Sequence, residues 1–191
     1  MAQSNLLEVD WSKIPAPEDD GATAHLVGMT IPPVSLRATN DTAVTLSELK
    51  GRTVVFAYPR TGEPGKISLV DDWDMIPGAR GCTPQTCAFR DLFAELKAAG
   101  AKHVFGLSTQ DNDYQTEMAA RLHLPFPVLS DEKLDLVDAL NLPVMDVAEL
   151  TLIKRLALVI DDAKITHVFY PVFPPDRNAG DVLEWLKANP V

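Results

Sequence analysis

Both cysteines of the chain lie five residues apart within residues 77–91. Thr83, Pro84 and Gln85 predict a helix start, because a hydroxyl residue can cap free N–H groups and proline suits the first turn. Cys82 is therefore expected at or just before a helix N-terminus, where oriented amides and the macrodipole favour a thiolate. This position predicts a nucleophile.

The second cysteine, Cys87, is expected inside the same helix. Helix geometry places the two Cα atoms roughly 8.7 Å apart, whereas a disulfide usually needs about 4.4–6.8 Å. Either the two thiols never pair, or the first turn unwinds during a reaction. Unwinding would suit a sulfenic acid on Cys82 that condenses with Cys87. The alternative is a pair of buried, inert thiols that act as small hydrophobic residues.

Periodic patterns around this segment predict an α/β domain. Apolar residues at three- and four-residue spacing extend the Cys82 helix to Gly100. The β-branched and aromatic run at 52–58 predicts a buried central strand. Further strands and helices alternate, which predicts βαβ units and a largely parallel sheet with helices on both faces. These are strands 102–108 and 125–130, helices 112–122 and 132–140, a hairpin of 155–161 and 164–170, and a closing helix at 179–188.

Two segments fall outside this alternation. Residues 1–22, with Trp11 among acidic residues and prolines, are predicted to form an irregular N-terminal arm, and residues 23–191 a single domain. A long loop separates Pro59 from Cys82, and loops of such length in a compact domain are usually functional. Trp73 in this loop either lines a pocket near the thiol or anchors the loop on the core.

Composition excludes several function classes. The 191 residues are 46% hydrophobic, as in a globular domain, and carry a net charge of −10 without a basic run. Nucleic acid and anionic membranes are therefore not expected as partners. The acidic first twenty residues do not resemble a signal peptide, so a cytoplasmic location is expected. In that reducing compartment a close cysteine pair is more often catalytic or redox-sensing than structural. The four scattered histidines form no metal-ligand cluster, and no cofactor is expected.

Four stretches resemble the peroxiredoxins, and most of all their bacterioferritin-comigratory or PrxQ-type branch. The most specific is Gly-Cys-x4-Cys-x-Phe-Arg-Asp at residues 81–91, and the likeness spans roughly residues 25–189. The resemblance implies a thioredoxin-like fold with a central mixed β-sheet flanked by helices. It also implies thiol peroxidase activity on hydrogen peroxide and organic hydroperoxides, with electrons from thioredoxin or a similar dithiol protein. The other three stretches are residues 54–59, 124–131 and 155–161.

The resemblance assigns roles to three residues. Cys82 matches the peroxidatic cysteine and Cys87 the resolving cysteine, which implies an intramolecular disulfide between them. Arg155 matches the family arginine, whose guanidinium would favour the thiolate and hold a peroxide oxygen as charge develops on it. The alternative for Arg155 is a surface salt bridge.

The chain departs from the family pattern Pro-x3-Thr-x2-Cys, because Ala79 stands three residues before Cys82. The long loop at 60–81 is interpreted as an insertion that separates Pro59 from the cysteine. The missing hydroxyl would come from Thr61 or Thr83. Thr61 is preferred, since Thr83 is expected to cap the helix.

Three further alternatives remain. One alignment would treat Thr83 and Pro84 as the family Thr-Pro and make Cys87 the nucleophile, but Cys87 would then lie deep in the helix. A second function is a redox-sensing or protein-interaction module that uses the same pair without efficient turnover. A thiol–disulfide oxidoreductase is disfavoured because Cys-x4-Cys is not Cys-x-x-Cys. The resemblance is compatible with a monomer or a homodimer.

Overall fold

A central seven-stranded sheet organises the protein in a computed structural model that describes residues 9–191. The first eight residues of the predicted arm lie outside the described residues. The strands are β1 (Ser35–Ala38), β2 (Ala43–Thr45), β3 (Arg52–Ala57), β4 (His103–Ser108), β5 (Val128–Ser130), β8 (Leu156–Asp161) and β9 (Lys164–Phe169). A separate two-stranded sheet, not predicted from the sequence, pairs β6 (Val144–Val147) with β7 (Leu150–Ile153).

The main sheet is mixed, with strand order β2-β1-β5-β4-β3-β8-β9. Only the β3–β4 and β4–β5 pairs are parallel, and the remaining neighbours are antiparallel. The expectation of a largely parallel sheet is therefore wrong, and the mixed sheet implied by the resemblance is confirmed. The β8–β9 hairpin inserts beside β3 and the β1–β2 hairpin joins the edge of β5, so antiparallel pairs surround the short parallel centre.

Five α-helices cover the sheet in residues 9–191: α1 (Cys82–Asp91), α2 (Phe93–Ala98), α3 (Asn112–Arg121), α4 (Asp135–Leu140) and α5 (Asn178–Ala188). The predicted single helix from the cysteine to Gly100 is two helices, because the backbone at Leu92 leaves the regular helical conformation. The start of α3 agrees with the prediction, since Asp111 accepts a hydrogen bond from the Tyr114 backbone N–H at 2.8 Å.

The core lies on both faces of β3, every residue of which is buried. Alternate residues of a strand point to opposite faces. Val55 and Ala57 accordingly pack in one cluster, while Val54 and Phe56 pack in the other, which also contains Cys82. The Phe56 and Phe89 rings stack with their centroids 4.1 Å apart, which fixes α1 against the central strand.

The described part of the N-terminal arm is docked on the domain. The Trp11 indole Nε1 donates a hydrogen bond to Asp176 at 3.0 Å, and its ring meets Phe173 edge to face. Further along, the Asp20 carboxylate accepts hydrogen bonds from Lys154 at 2.7 Å and from the Tyr170 hydroxyl at 2.8 Å. Among residues 9–191, no helix combines the length and apolar character needed to cross a membrane.

Candidate active site

Cys82 is the first residue of α1, as predicted, but the cap of this helix differs from the prediction. Gly81 is the N-cap, in the left-handed conformation at φ 104°, and no side chain caps the helix. The predicted capping role of Thr83 is therefore wrong. Glycine is required here because a Cβ atom would stand 2.6 Å from Pro175 Cγ, in a conformation that L side chains rarely adopt.

The Arg155 guanidinium lies beside the Cys82 sulfur. Arg155 Nη2 donates a hydrogen bond to Cys82 Sγ at 3.2 Å, and the arginine is only 2% exposed. The antiparallel register of β3 and β8 pairs Ala57 with Leu156, which places Arg155 at the carboxyl end of the central strand. Arg155 is thus a buried partner of the thiol, and the alternative of a surface salt bridge is excluded.

Fixed acceptors orient the guanidinium. Arg155 Nη2 lies 3.1 Å from each carbonyl oxygen of Gly78, Ala79 and Arg80, and Nη1 donates to the Gln85 side chain. The Gln85 amide in turn donates to Asn178 Oδ1 on α5 at 2.9 Å. The positive charge is therefore held in a fixed position next to the Cys82 sulfur, and such a preorganised donor can bind negative charge that develops on an oxygen atom.

The two cysteines lie in one intact helix and are not bonded to each other. Cys82 is 3% exposed and Cys87 is 7% exposed. Burial raises the pKa of the Cys87 thiol, since desolvation disfavours the thiolate. The Arg155 guanidinium donates a hydrogen bond to the sulfur of Cys82 and not to that of Cys87.

Thr61 and Thr83 line the same cavity as Cys82. The Thr61 hydroxyl donates a hydrogen bond to Gln110 Oε1 at 3.1 Å, and the Thr61 backbone N–H donates to the same oxygen at 3.0 Å. The Tyr114 hydroxyl donates to the Thr61 carbonyl oxygen at 3.0 Å. The Thr83 hydroxyl makes no hydrogen bond within residues 9–191. Both hydroxyls are therefore near the thiol's cavity, but only Thr61 is held by partners.

The cavity has a volume of about 400 Å³, and the loop at 60–81 forms much of its wall. Trp73 both lines the cavity and packs against Val147 and Leu152 of the β6–β7 hairpin. The two interpretations of Trp73 are therefore compatible, because the residue that anchors the loop also faces the cavity.

Comparison with known proteins identifies the family of the chain. The family model for Redoxin matches residues 26–183 of the chain. Peroxiredoxin Q from Oryza sativa subsp. japonica is 33% identical over 165 residues, and the match covers 84% of this chain and 66% of the rice protein. Peroxiredoxin Q from Sedum lineare is 31% identical, over 84% of this chain and 77% of that protein. The chain belongs to the peroxiredoxin Q branch of the Redoxin family.

A solved structure related to this peroxiredoxin is Peroxidoxin BcpB from Mycobacterium tuberculosis. It is 27% identical, with a TM-score of 0.69, and the alignment covers 86% of this chain and 98% of that one. The PrxQ C47S mutant from Xylella fastidiosa, at 22% identity and a TM-score of 0.67, shares the fold over 85% of this chain and 95% of that one. The thioredoxin-like fold is thereby confirmed.

Several residues at the site of this peroxiredoxin were not found from the sequence. Gln85 carried a usable signal, since it lies three residues after Cys82 on the same helix and so faces the same side. Gln110 and Tyr114 follow the carboxyl end of β4, where side chains of parallel strands converge.

Tyr58 follows the last residue of β3, and its hydroxyl has no hydrogen-bond partner in the described chain. Burial raises the pKa of Tyr58, which keeps it a neutral phenol.

Proposed function

We propose that this peroxiredoxin is a thiol peroxidase that reduces hydrogen peroxide and organic hydroperoxides, with Cys82 as the nucleophile. The observation that carries the proposal is the 3.2 Å hydrogen bond from Arg155 Nη2 to Cys82 Sγ beside a cavity of about 400 Å³. A thiolate, a fixed cation and an adjacent space for substrate are the parts that attack on a peroxide needs.

In the first step, the Cys82 thiolate attacks the terminal oxygen of the peroxide and the O–O bond breaks. The sulfur is oxidised to a sulfenic acid, and the other oxygen leaves as water or an alcohol after it takes a proton. Arg155 Nη2 stabilises negative charge as it moves from sulfur to the leaving oxygen. The carbonyl contacts of the guanidinium keep it in place during this charge transfer.

In the second step, the Cys87 thiol condenses with the sulfenic acid, releases water and forms the Cys82–Cys87 disulfide. An intact α1 keeps the Cα atoms roughly 8.7 Å apart, so the first turn must unwind before the sulfurs meet. A dithiol protein such as thioredoxin then supplies two electrons and two protons and restores both thiols by exchange.

A threonine hydroxyl is proposed to hold the bound peroxide. Thr61 stays the first candidate, because Gln110 already fixes the position of its hydroxyl. Thr83 is the competing candidate, since it lines the cavity without a capping role. Replacement of each threonine by valine separates them: the residue that binds peroxide loses the larger share of kcat/KM for hydrogen peroxide.

The main experiment is stopped-flow consumption of hydrogen peroxide, followed by mass measurement after one equivalent. We expect Cys82→Ser to be inactive, and Cys87→Ser to react once and then stall with thioredoxin as reductant. The wild type should carry an intramolecular disulfide. Undiminished peroxide consumption by Cys82→Ser, or normal turnover by Cys87→Ser, would remove that cysteine from its proposed role.

A second candidate function is a redox-sensing module, in which the same pair is oxidised without efficient turnover. It is favoured by the contacts that hold the turn before Cys82, namely the three carbonyl bonds of Arg155. Steady-state turnover with thioredoxin distinguishes the two, since a sensor would react once and stop. We also propose that the protein is cytoplasmic and is a monomer or a homodimer. The mass measurement would also detect a dimer linked by a disulfide.

A further inference from the structure

The cavity beside Cys82 is far larger than hydrogen peroxide requires. Its volume is about 400 Å³, whereas a water-sized molecule occupies about 30 Å³ in a liquid. Pockets of about 300–1,000 Å³ are typical of sites for larger organic ligands. The site therefore has room for a hydroperoxide with a substantial organic group.

Part of the wall is apolar and comes from the loop at 60–81. Ile67 is 97% exposed at the cavity, and Leu69 and Trp73 also line it. Trp73 is held in place by packing against the β6–β7 hairpin. An alkyl or aryl group of a substrate can bury apolar surface against these side chains.

The same wall is positively charged, although the whole chain carries a net charge of −10. Arg60, Lys66 and Arg80 line the cavity with a single acidic residue, Glu63. Glu63 pairs with Lys66 at 2.6 Å, and Asp74 neutralises Arg80 at 3.2 Å. These pairs leave the charge of Arg60 without a carboxylate partner in the described part of the chain.

Arg60 is also preorganised. Its guanidinium carbon lies 5.1 Å from the centroid of the Tyr114 ring, in cation–π contact. Tyr114 is itself fixed by the hydrogen bond from its hydroxyl to the Thr61 carbonyl oxygen. A planar guanidinium that is stacked and free of a carboxylate is suited to bidentate recognition of an anionic group.

We propose that this site selects organic hydroperoxides that carry a carboxylate, with Arg60 holding the carboxylate and Leu69 and Trp73 contacting the apolar part. The inference rests on the proposed peroxidase function and adds a substrate class to it. Arg60 acts on specificity, and the chemistry stays with Cys82 and Arg155.

The test compares kcat/KM for 4-carboxycumene hydroperoxide with that for its uncharged methyl ester. At low salt we expect the wild type to prefer the acid by roughly tenfold, the low end of what a hydrogen bond to a charged group contributes. The preference should fall at high salt, because exposed charges are screened. Arg60→Gln should bring the ratio close to one, and Arg60→Lys should keep part of it.

The matched control is Arg37→Gln, which removes the same charge at an exposed position on β1 and should keep the wild-type ratio. A wild-type ratio close to one would overturn the inference, as would equal changes in Arg60→Gln and Arg37→Gln. Hydrogen peroxide is the reference substrate. Normal reduction of hydrogen peroxide with no preference for the acid removes only the specificity, whereas failure to reduce any peroxide overturns the proposed function and the inference together.

Discussion

The indole ring of Trp11 lies directly against Gly81, so that a Cβ atom at position 81 would stand 2.7 Å from Trp11 Cη2. Gly81 is the N-cap of α1, and α1 must lose its first turn before Cys87 can reach Cys82. A residue of the N-terminal arm thus rests on the backbone whose unwinding the proposed cycle requires. We therefore expect docking of the arm to slow formation of the Cys82–Cys87 disulfide.

Replacement of Trp11 by alanine should speed formation of the Cys82–Cys87 disulfide. The change removes the edge-to-face contact with Phe173 and the ring contact with Gly81. An aromatic contact contributes about 1 kcal/mol, which corresponds to roughly a fivefold faster opening of the turn. The measurement is rapid mixing with one equivalent of peroxide, alkylation of remaining thiols and mass analysis over time.

The control for this experiment is Trp11→Phe, which keeps a ring against Gly81 but loses the indole hydrogen bond to Asp176. Its rate should lie nearer to that of the wild type. If Trp11→Ala resolved no faster than the wild type, the arm would have no influence on the opening of α1.

Replacement of Gly81 by alanine should destabilise the fold by about 1–3 kcal/mol. The new methyl group would meet Pro175 at 2.6 Å and the Trp11 ring at 2.7 Å, in a backbone conformation unfavourable to L side chains. Urea unfolding measures the change. Gly62→Ala is the matched control, since a Cβ atom there meets no atom within 4 Å and the backbone is not left-handed. Equal stability of the two variants would contradict the role of Gly81.

Replacement of Arg155 by lysine should lower kcat/KM for hydrogen peroxide by roughly 10²-fold, the loss typical of one preorganised donor to a developing oxyanion. Lysine keeps the charge, but it cannot bond Cys82, Gln85 and the loop carbonyls in the geometry of the planar guanidinium. Stopped-flow kinetics measure the loss, and Arg37→Lys serves as an exposed control. Activity within twofold of the wild type would show that charge alone suffices.

The reactivity of Cys87 should depend on pH in a way that reports its burial. Burial raises the pKa of this thiol, so its alkylation in Cys82→Ser should reach half-maximal rate above the ordinary value of about 8.5. In urea the midpoint should return to that value. A folded-state midpoint at or below about 8.5 would contradict the burial of Cys87.

The raised pKa of Cys87 also makes the free energy of unfolding depend on pH. The folded protein keeps the Cys87 proton over a pH range in which the unfolded chain has lost it. Its contribution to the free energy of unfolding is fully present below the unfolded pKa and is lost as pH rises through the folded pKa. The Cys82→Ser, Cys87→Ser double variant should lack this part of the pH dependence.

Sequence alone determined the features that depend on near neighbours. Cys82 was placed at a helix start because local residue types favour a helix there, and the continuous apolar run at 52–58 identified the central strand. The spacing of the two cysteines already showed that an intact helix keeps them apart. The resemblance of residues 155–161 to the family assigned Arg155 as a partner of the proposed nucleophile, without giving its position in space.

Tertiary structure decided what depends on contacts between distant residues. Arg155 meets Cys82 across 73 residues of chain, through the register of β3 with β8. Gly81, and not Thr83, caps α1, because Trp11 and Pro175 leave no space for a side chain at position 81. The mixed sheet and the charged wall of the cavity likewise arise from strand pairing and loop packing. Local sequence patterns do not encode such long-range pairings, since each depends on where the rest of the chain has folded.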